Sequence, residues 1–168
     1  ATDILQVTAG VVTVDVVESF TATAATTNAA TTTTLNLKDG VNVDMTLATL
    51  TAATNGYTIT TDAAVTKGAT IVGSRGEDTI TGSKFDDIIT GGAGADTIIL
   101  TESVSAADTV VLGSVTAAGI DTIVGFVGGT DKIKFLAANT TSDILDNLLL
   151  TINGEDSNVM MMLDGKIS

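Results

Sequence analysis

The sequence predicts an all-β fold, a parallel β-helix in which a coiling chain stacks short strands into sheets. Two observations carry the prediction. Residues 73–99 are three consecutive nine-residue units, GSRGEDTIT, GSKFDDIIT and GGAGADTII, with no gap between them. Each opens on glycine (Gly73, Gly82, Gly91), holds aspartate at its sixth place (Asp78, Asp87, Asp96) and isoleucine at its eighth (Ile80, Ile89, Ile98). Beyond this block the signature Asp-x-[Ile/Val]-x recurs at Asp108, Asp121 and Asp131, with starts spaced 9, 9, 12, 13 and 10 residues apart from Asp78 onward.

Each unit divides into a turn and a strand. Its first six residues, glycine-rich and closed by aspartate, cannot bury a core, but they make a tight turn that exposes backbone carbonyls. Its last three, such as Thr79-Ile80-Thr81, are a minimal strand whose one apolar side chain points inward. Turn plus strand, repeated, coils the chain and stacks the strands in parallel. The same Asp-Thr and Gly-Ala runs also fit solvated turns of a metal-free β-helix, with aspartate only a turn residue.

The units resemble the RTX nonapeptide G-G-x-G-x-D-x-U-x, a calcium-binding β-helix repeat. The resemblance implies a right-handed parallel β-helix of the β-roll kind, with two units to each coil. First and third turns then lie above one another, which places Asp78 near Asp96 on one side and Asp87 on the opposite side.

Two carboxylates a few ångströms apart repel by roughly 4 kcal/mol at an effective dielectric near 20. A hard divalent cation removes that repulsion and takes carbonyls as further ligands. Calcium fits best, since it accepts about six to eight oxygens in flexible geometry, whereas magnesium demands a strict octahedron. Zinc, copper and iron favour His or Cys, and the chain has neither. The expected ligands of the complete site are Asp78 and Asp96, with carbonyls drawn from Gly73, Ser74 and Gly76 and from Gly91, Gly92, Ala93 and Gly94. The middle unit offers Ser83, Phe85 and Asp87. There Phe85 stands where the pattern has glycine, and the stacking partner must come from beyond residue 100. Asp108, Asp121 and Asp131 are further candidate ligands, in longer coils whose turns have lost the glycine pair.

Upstream, Gly68-Ala69-Thr70-Ile71-Val72 matches the last five places of a unit with alanine for aspartate, and Gly56-Tyr57-Thr58-Ile59-Thr60 does so with tyrosine. The β-roll is therefore expected over 56–136. Asp121–Phe135 resembles the closing unit found after nonapeptides in many RTX proteins. Phe126, Ile133 and Phe135 would plug the open end of the coil; an ordinary hairpin around Gly128-Gly129 is the alternative. Residues 137–168 are expected to form a C-terminal cap, with Leu145–Ile152 and Val159–Leu163 flanking an Asn153-Gly154 turn. The resemblance makes this stretch a possible secretion-signal region.

Residues 1–55 read as a separate Thr/Ala-rich β segment. Val11–Val17 is a strand-like run and Val41–Leu47 alternates apolar with polar residues. Thr21–Thr34 is almost entirely Thr, Ala and Asn, which fits either a flexible linker or an edge-strand surface. The chain opens ATDILQVTAG, without the basic region and apolar core of a cleavable signal.

Composition narrows the function. A net charge of −13 and a pI of about 4.1 argue against nucleic-acid partners and suit cations. The absence of cysteine rules out a disulfide scaffold and fits metal as the external staple. No run approaches the roughly 18 apolar residues of a membrane span. Without His or Cys there is no imidazole base, cysteine nucleophile or HExxH motif, so catalysis is not expected. A Thr-rich, acidic β segment leading into nonapeptides resembles the C-terminal part of bacterial S-layer proteins exported by type I secretion. That resemblance implies a secreted, cell-surface structural protein, folded by calcium and self-associating into a lattice. The alternative is the calcium-binding secretion or stabilising module of a secreted RTX adhesin, toxin or hydrolase.

Overall fold

The strands are short, rich in threonine and β-branched aliphatics, and paired only in parallel. In this computed structural model, residues 4–30, 32–100, 106–112, 119, 121–135 and 151–153 are described. In chain order the strands are β1 (Gln6–Val7), β2 (Val11–Val16), β3 (Phe20–Thr21), β4 (Thr27–Asn28), β5 (Thr32–Leu37), β6 (Val43–Asp44), β7 (Thr49–Leu50) and β8 (Thr58–Thr61). They continue as β9 (Thr70–Val72), β10 (Thr79–Thr81), β11 (Ile88–Thr90), β12 (Thr97–Ile99), β13 (Thr109–Leu112), β14 (Thr122–Val124), β15 (Lys132–Phe135) and β16 (Thr151–Asn153). There is no helix among the described residues.

Three sheets run along one solenoid. A seven-stranded sheet has the order β16-β14-β12-β10-β8-β5-β2, a six-stranded sheet β15-β13-β11-β9-β6-β3, and a third contains only β1-β4-β7. The first three coils therefore visit three sides, and from β10 onward the chain alternates between two. The third side disappears where the nine-residue units begin, because a six-residue turn has no length left for another strand. At the junction the turn of the first unit rests on the last loop of the third side, the Glu77 amide donating to the Ala53 carbonyl at 2.8 Å.

The strands register on their inward residues. In the long sheet Leu35, Ile59, Ile80, Ile98 and Ile123 stand opposite one another, all fully buried. Across the core Val43, Ile71, Ile89 and Val110 form the matching column. One place earlier in the long sheet, threonine fills the register position in all seven strands: Thr13, Thr34, Thr58, Thr79, Thr97, Thr122 and Thr151. Such repetition suits stacked strands, where identical β-branched neighbours pack directly against each other. Ile98→Ala is expected to destabilise the fold by about 2–5 kcal/mol, as buried aliphatic truncations do. Ile88→Ala, at an outward position 47% exposed, should change urea-unfolding stability by no more than about 0.5 kcal/mol.

Residues 4–30 and 32–55 are coils of this same solenoid. β5 pairs with β8 and β6 with β9, so both long sheets cross residue 55 without a break. The Thr/Ala/Asn stretch holds the second residue of β3, all of β4 and part of β5, with Ala22, Thr26, Asn28, Ala30 and Thr33 buried. Asn28 makes the polar interior tolerable. Its amide donates to the carbonyls of Asn55 and Gly56 at 3.0 Å each, and its oxygen accepts from the Ala30 amide and the Thr33 hydroxyl.

At the other end β14 and β15 belong to different sheets, so the segment around Gly128-Gly129 is a solenoid corner and no hairpin. Phe126 is buried and Ile133 packs against the core; the Phe135 side chain lies outside the described residues. So does the expected cap over 137–168, apart from Thr151–Asn153, which adds a parallel strand to β14.

Candidate metal centre

Coiling aligns the sixth place of every unit into two columns, one at each edge of the solenoid. Tyr57, Asp78, Asp96 and Asp121 form one, and Ala69, Asp87, Asp108 and Asp131 form the other. Each column is a ladder in which a carboxylate Oδ1 accepts the amide of the preceding rung. On the first side Tyr57 donates to Asp78 at 2.5 Å, Asp78 to Asp96 at 2.9 Å and Asp96 to Asp121 at 3.0 Å. On the second Ala69 donates to Asp87 at 2.6 Å, Asp87 to Asp108 at 2.7 Å and Asp108 to Asp131 at 3.0 Å. Asp78 and Asp96 thus share one side and Asp87 takes the other. Asp108 is the rung that stacks on Asp87.

These carboxylates lie inside the molecule. Asp78, Asp87, Asp96 and Asp108 are each no more than 2% exposed, and Asp131 is 7% exposed. Burial disfavours the charged form, so it pushes the Asp78 carboxyl up to about 6, with the Tyr57 and Ser74 donors opposing. It pushes Asp96 up to about 7, and the neighbouring charges of Asp78, Asp121 and Glu77 add to that rise. Asp87 and Asp121 are raised for the same first cause.

The second carboxylate oxygens differ from turn to turn. Asp78 Oδ2 accepts the Ser74 amide at 2.5 Å and the Ser74 hydroxyl at 2.9 Å. Asp87 Oδ2 accepts the Ser83 amide at 2.6 Å and its hydroxyl at 3.1 Å. Asp131 Oδ2 accepts the Val127 amide at 2.7 Å, again four residues earlier. Asp96 Oδ2 is buried without a hydrogen-bond partner.

A Cβ at Gly91 would collide with that oxygen, and two more glycines follow in the same turn. Gly92 and Gly94 both have φ of +119°, a region side chains rarely enter. A Cβ at Gly92 would collide with the Ser74 carbonyl oxygen, and one at Gly94 would lie 2.7 Å from that of Gly76. The turn 91–94 is thus laid on the turn 73–76, carbonyl-lined on both faces. Gly92→Ala should lower stability by about 1–3 kcal/mol from backbone strain alone, with the collision adding to it. Gly10→Ala is the control, since Gly10 has φ of +87° but nothing within 4 Å of its Cβ position. Chemical unfolding of the two variants separates collision from strain.

A buried, unpartnered carboxylate oxygen among carbonyls fits a hard cation of the calcium type. Asp96 would hold it, with carbonyls of turns 91–94 and 73–76, and Asp78 close by. No group of three or more His, Cys, Asp or Glu suited to a metal occurs among the described residues. A site here therefore draws more on carbonyls than on carboxylates.

Two further details emerge at this level. Phe85 does not break its turn. Its amide donates to the Ser83 hydroxyl at 3.0 Å just as the Gly76 amide donates to that of Ser74 at 3.1 Å, so the fourth place here needs no glycine. Tyr57 and Ala69, which lack a carboxylate, still belong to the ladders through their amides. The signal for the serine contacts was present in the sequence as a fixed four-residue offset, Ser74 to Asp78 and Ser83 to Asp87.

Residues 72–101 match the family model of the RTX calcium-binding nonapeptide repeat (4 copies). No curated protein and no solved structure matches the chain.

Proposed function

We propose that this RTX-repeat protein is a calcium-dependent structural component of a bacterial S-layer, folded after export through a type I secretion apparatus and then assembled into a lattice. The observation that carries the calcium part is the buried, unpartnered Asp96 Oδ2 in a ladder of buried carboxylates. Bound calcium would supply charge neutralisation and coordination places for the carbonyls. The ionised aspartates destabilise the coils that carry unpartnered carboxylates where calcium is scarce, and the stability gained with the metal favours their closure outside the cell. The lattice part is supported by the chain's charge of −13, suited to cation-bridged contacts. The role is non-catalytic, in keeping with a sequence without His or Cys.

A calcium titration followed by circular dichroism and electron microscopy on the same samples tests this. β-signal that rises with calcium, together with ordered sheets that require it, supports the S-layer reading. A calcium-folded particle that stays single would instead make the chain a secretion or stabilising module of a larger secreted RTX protein. A chain fully folded in chelator would remove calcium from the mechanism.

A further inference from the structure

We propose that Ser74 and Ser83 stand in for a metal at their own turns, so that the coils up to Thr90 close without calcium and only those from Gly91 onward require it. The inference deepens the calcium-folding reading above and rests on it. The three regular units differ at their second place, which is Ser74, Ser83 and Gly92. At Ser74 and Ser83 both the amide and the hydroxyl reach the aspartate, whereas Gly92, at φ of +119°, supplies neither.

In the first two turns the serine does the work of a cation. The Ser74 hydroxyl donates to both oxygens of Asp78, at 3.1 and 2.9 Å, and its oxygen accepts the Gly76 amide at 3.1 Å. The Ser83 hydroxyl reaches Asp87 at 3.2 and 3.1 Å and accepts the Phe85 amide at 3.0 Å. With the serine amide added, each buried carboxylate has donors on both oxygens and the loop is ordered around it. Hydrogen bonds to a charged acceptor are the strong ones. In the third turn Gly92 brings no hydroxyl, and Asp96 Oδ2 is left with nothing.

The coils upstream have no open carboxylate at the ladder place, where Ala69 offers its amide and Tyr57 its amide and a buried, neutral phenol without a hydrogen-bond partner. Asn28 closes their interior corner, and Lys38 bridges Asp15 and Asp62 at 3.2 and 2.7 Å on the outside. β10 and β11 then present finished strand edges on which β12 and β13 add when Asp96 is neutralised. The solenoid thus contains a metal-independent template followed by a metal-gated extension.

Hydrogen exchange of the full 168-residue chain, read by mass spectrometry in chelator and in millimolar calcium chloride, tests this. Wild-type protein is expected to protect Thr58–Thr61, Thr70–Val72 and Thr79–Thr81 in both conditions, but Thr97–Ile99 and Thr122–Val124 only with calcium. In the Ser74→Gly/Ser83→Gly variant, Thr79–Thr81 and Ile88–Thr90 should exchange at least about tenfold faster in chelator and recover with calcium. A serine that were merely structural would not show that recovery. Should the double variant not fold, the wild-type pattern decides alone. Protection appearing in all coils together at one calcium concentration overturns the inference and leaves the calcium-folding reading intact, as does a variant that exchanges like wild type in chelator. Exchange indifferent to calcium everywhere overturns both.

Discussion

Asp96→Ala should weaken calcium binding by about two orders of magnitude or more, while Asp62→Ala leaves it nearly unchanged. Removing an outer partner of a metal ligand already costs roughly 10–100-fold in affinity, and loss of the ligand itself should reach or pass that range. Asp96 supplies the buried oxygen with no other partner. Asp62 lies on the outer face against Lys38 at 2.7 Å, remote from the ladders. Asp78→Ala is predicted to behave differently from Asp96→Ala. The Asp78 oxygens hold the amides of Tyr57 and Ser74, so alanine there strands buried donors at about 1–3 kcal/mol each. That loss should appear in chelator as well as in calcium. Calorimetric calcium titration of the three variants, beside their urea unfolding in both conditions, separates the roles. Equal loss of affinity at Asp62 and Asp96 would sink the site assignment.

The sequence made the two-sided half of the solenoid readable because every rung there declares itself. An aspartate, a β-branched inward residue two places on and a glycine turn recur with little slack, and the register follows them from Tyr57 to Ile133. The third side was hidden for a physical reason. Its strands, Gln6–Val7, Thr27–Asn28 and Thr49–Leu50, are two residues long, too short to show an alternation. Thr21–Thr34 fitted a flexible linker or an edge-strand surface equally because its buried positions are Ala, Thr and Asn, and the fit of Asn28 depends on hydrogen bonds to Asn55 and Gly56 in the next coil. At the site, the columns of aspartate were legible and the state of each oxygen was not. Ser74 was read as a carbonyl donor to a metal and Ser83 as a candidate ligand of the middle unit, and the contacts of their hydroxyls and amides with the carboxylates were not foreseen. Only the fold brings each hydroxyl onto its aspartate, so the difference between Ser74 and Gly92 had no visible consequence in one dimension.

In chelator the fold should become more stable as pH falls from 8 to 5, opposite to the behaviour of a protein held by surface ion pairs. Burial raises Asp78 from 3.8 to about 6 and Asp96 to about 7. Between pH near 4 and near 7 the folded chain thus binds more protons than the unfolded one, and stability falls as pH rises through that window. Above about pH 7 both carboxyls are ionised in either state and the penalty is complete. Each pKa unit corresponds to about 1.4 kcal/mol, so the two shifts together are of order several kcal/mol. The charged groups facing Asp96 are Asp78, Asp121 and Glu77, all acidic, so only the hydrogen bond from the Asp78 amide opposes the rise. Asp15, Asp39 and Asp62 pull the other way on the surface. Contacts with Asn36 and Lys38, with Thr66, and with Lys38 respectively hold them below 3.8, so their contribution is lost only as pH falls below about 4. The metal-free optimum should therefore sit between about pH 4 and 6. With calcium present a cation holds the columns ionised, protons compete with it, and the slope should flatten or reverse. Urea midpoints measured from pH 4 to 8 with and without calcium read both arms. Chelator-state stability that climbs steadily from pH 5 to 8 would mean that the ladder carboxylates are not buried as described, and the argument for a metal at Asp96 would lose its electrostatic basis.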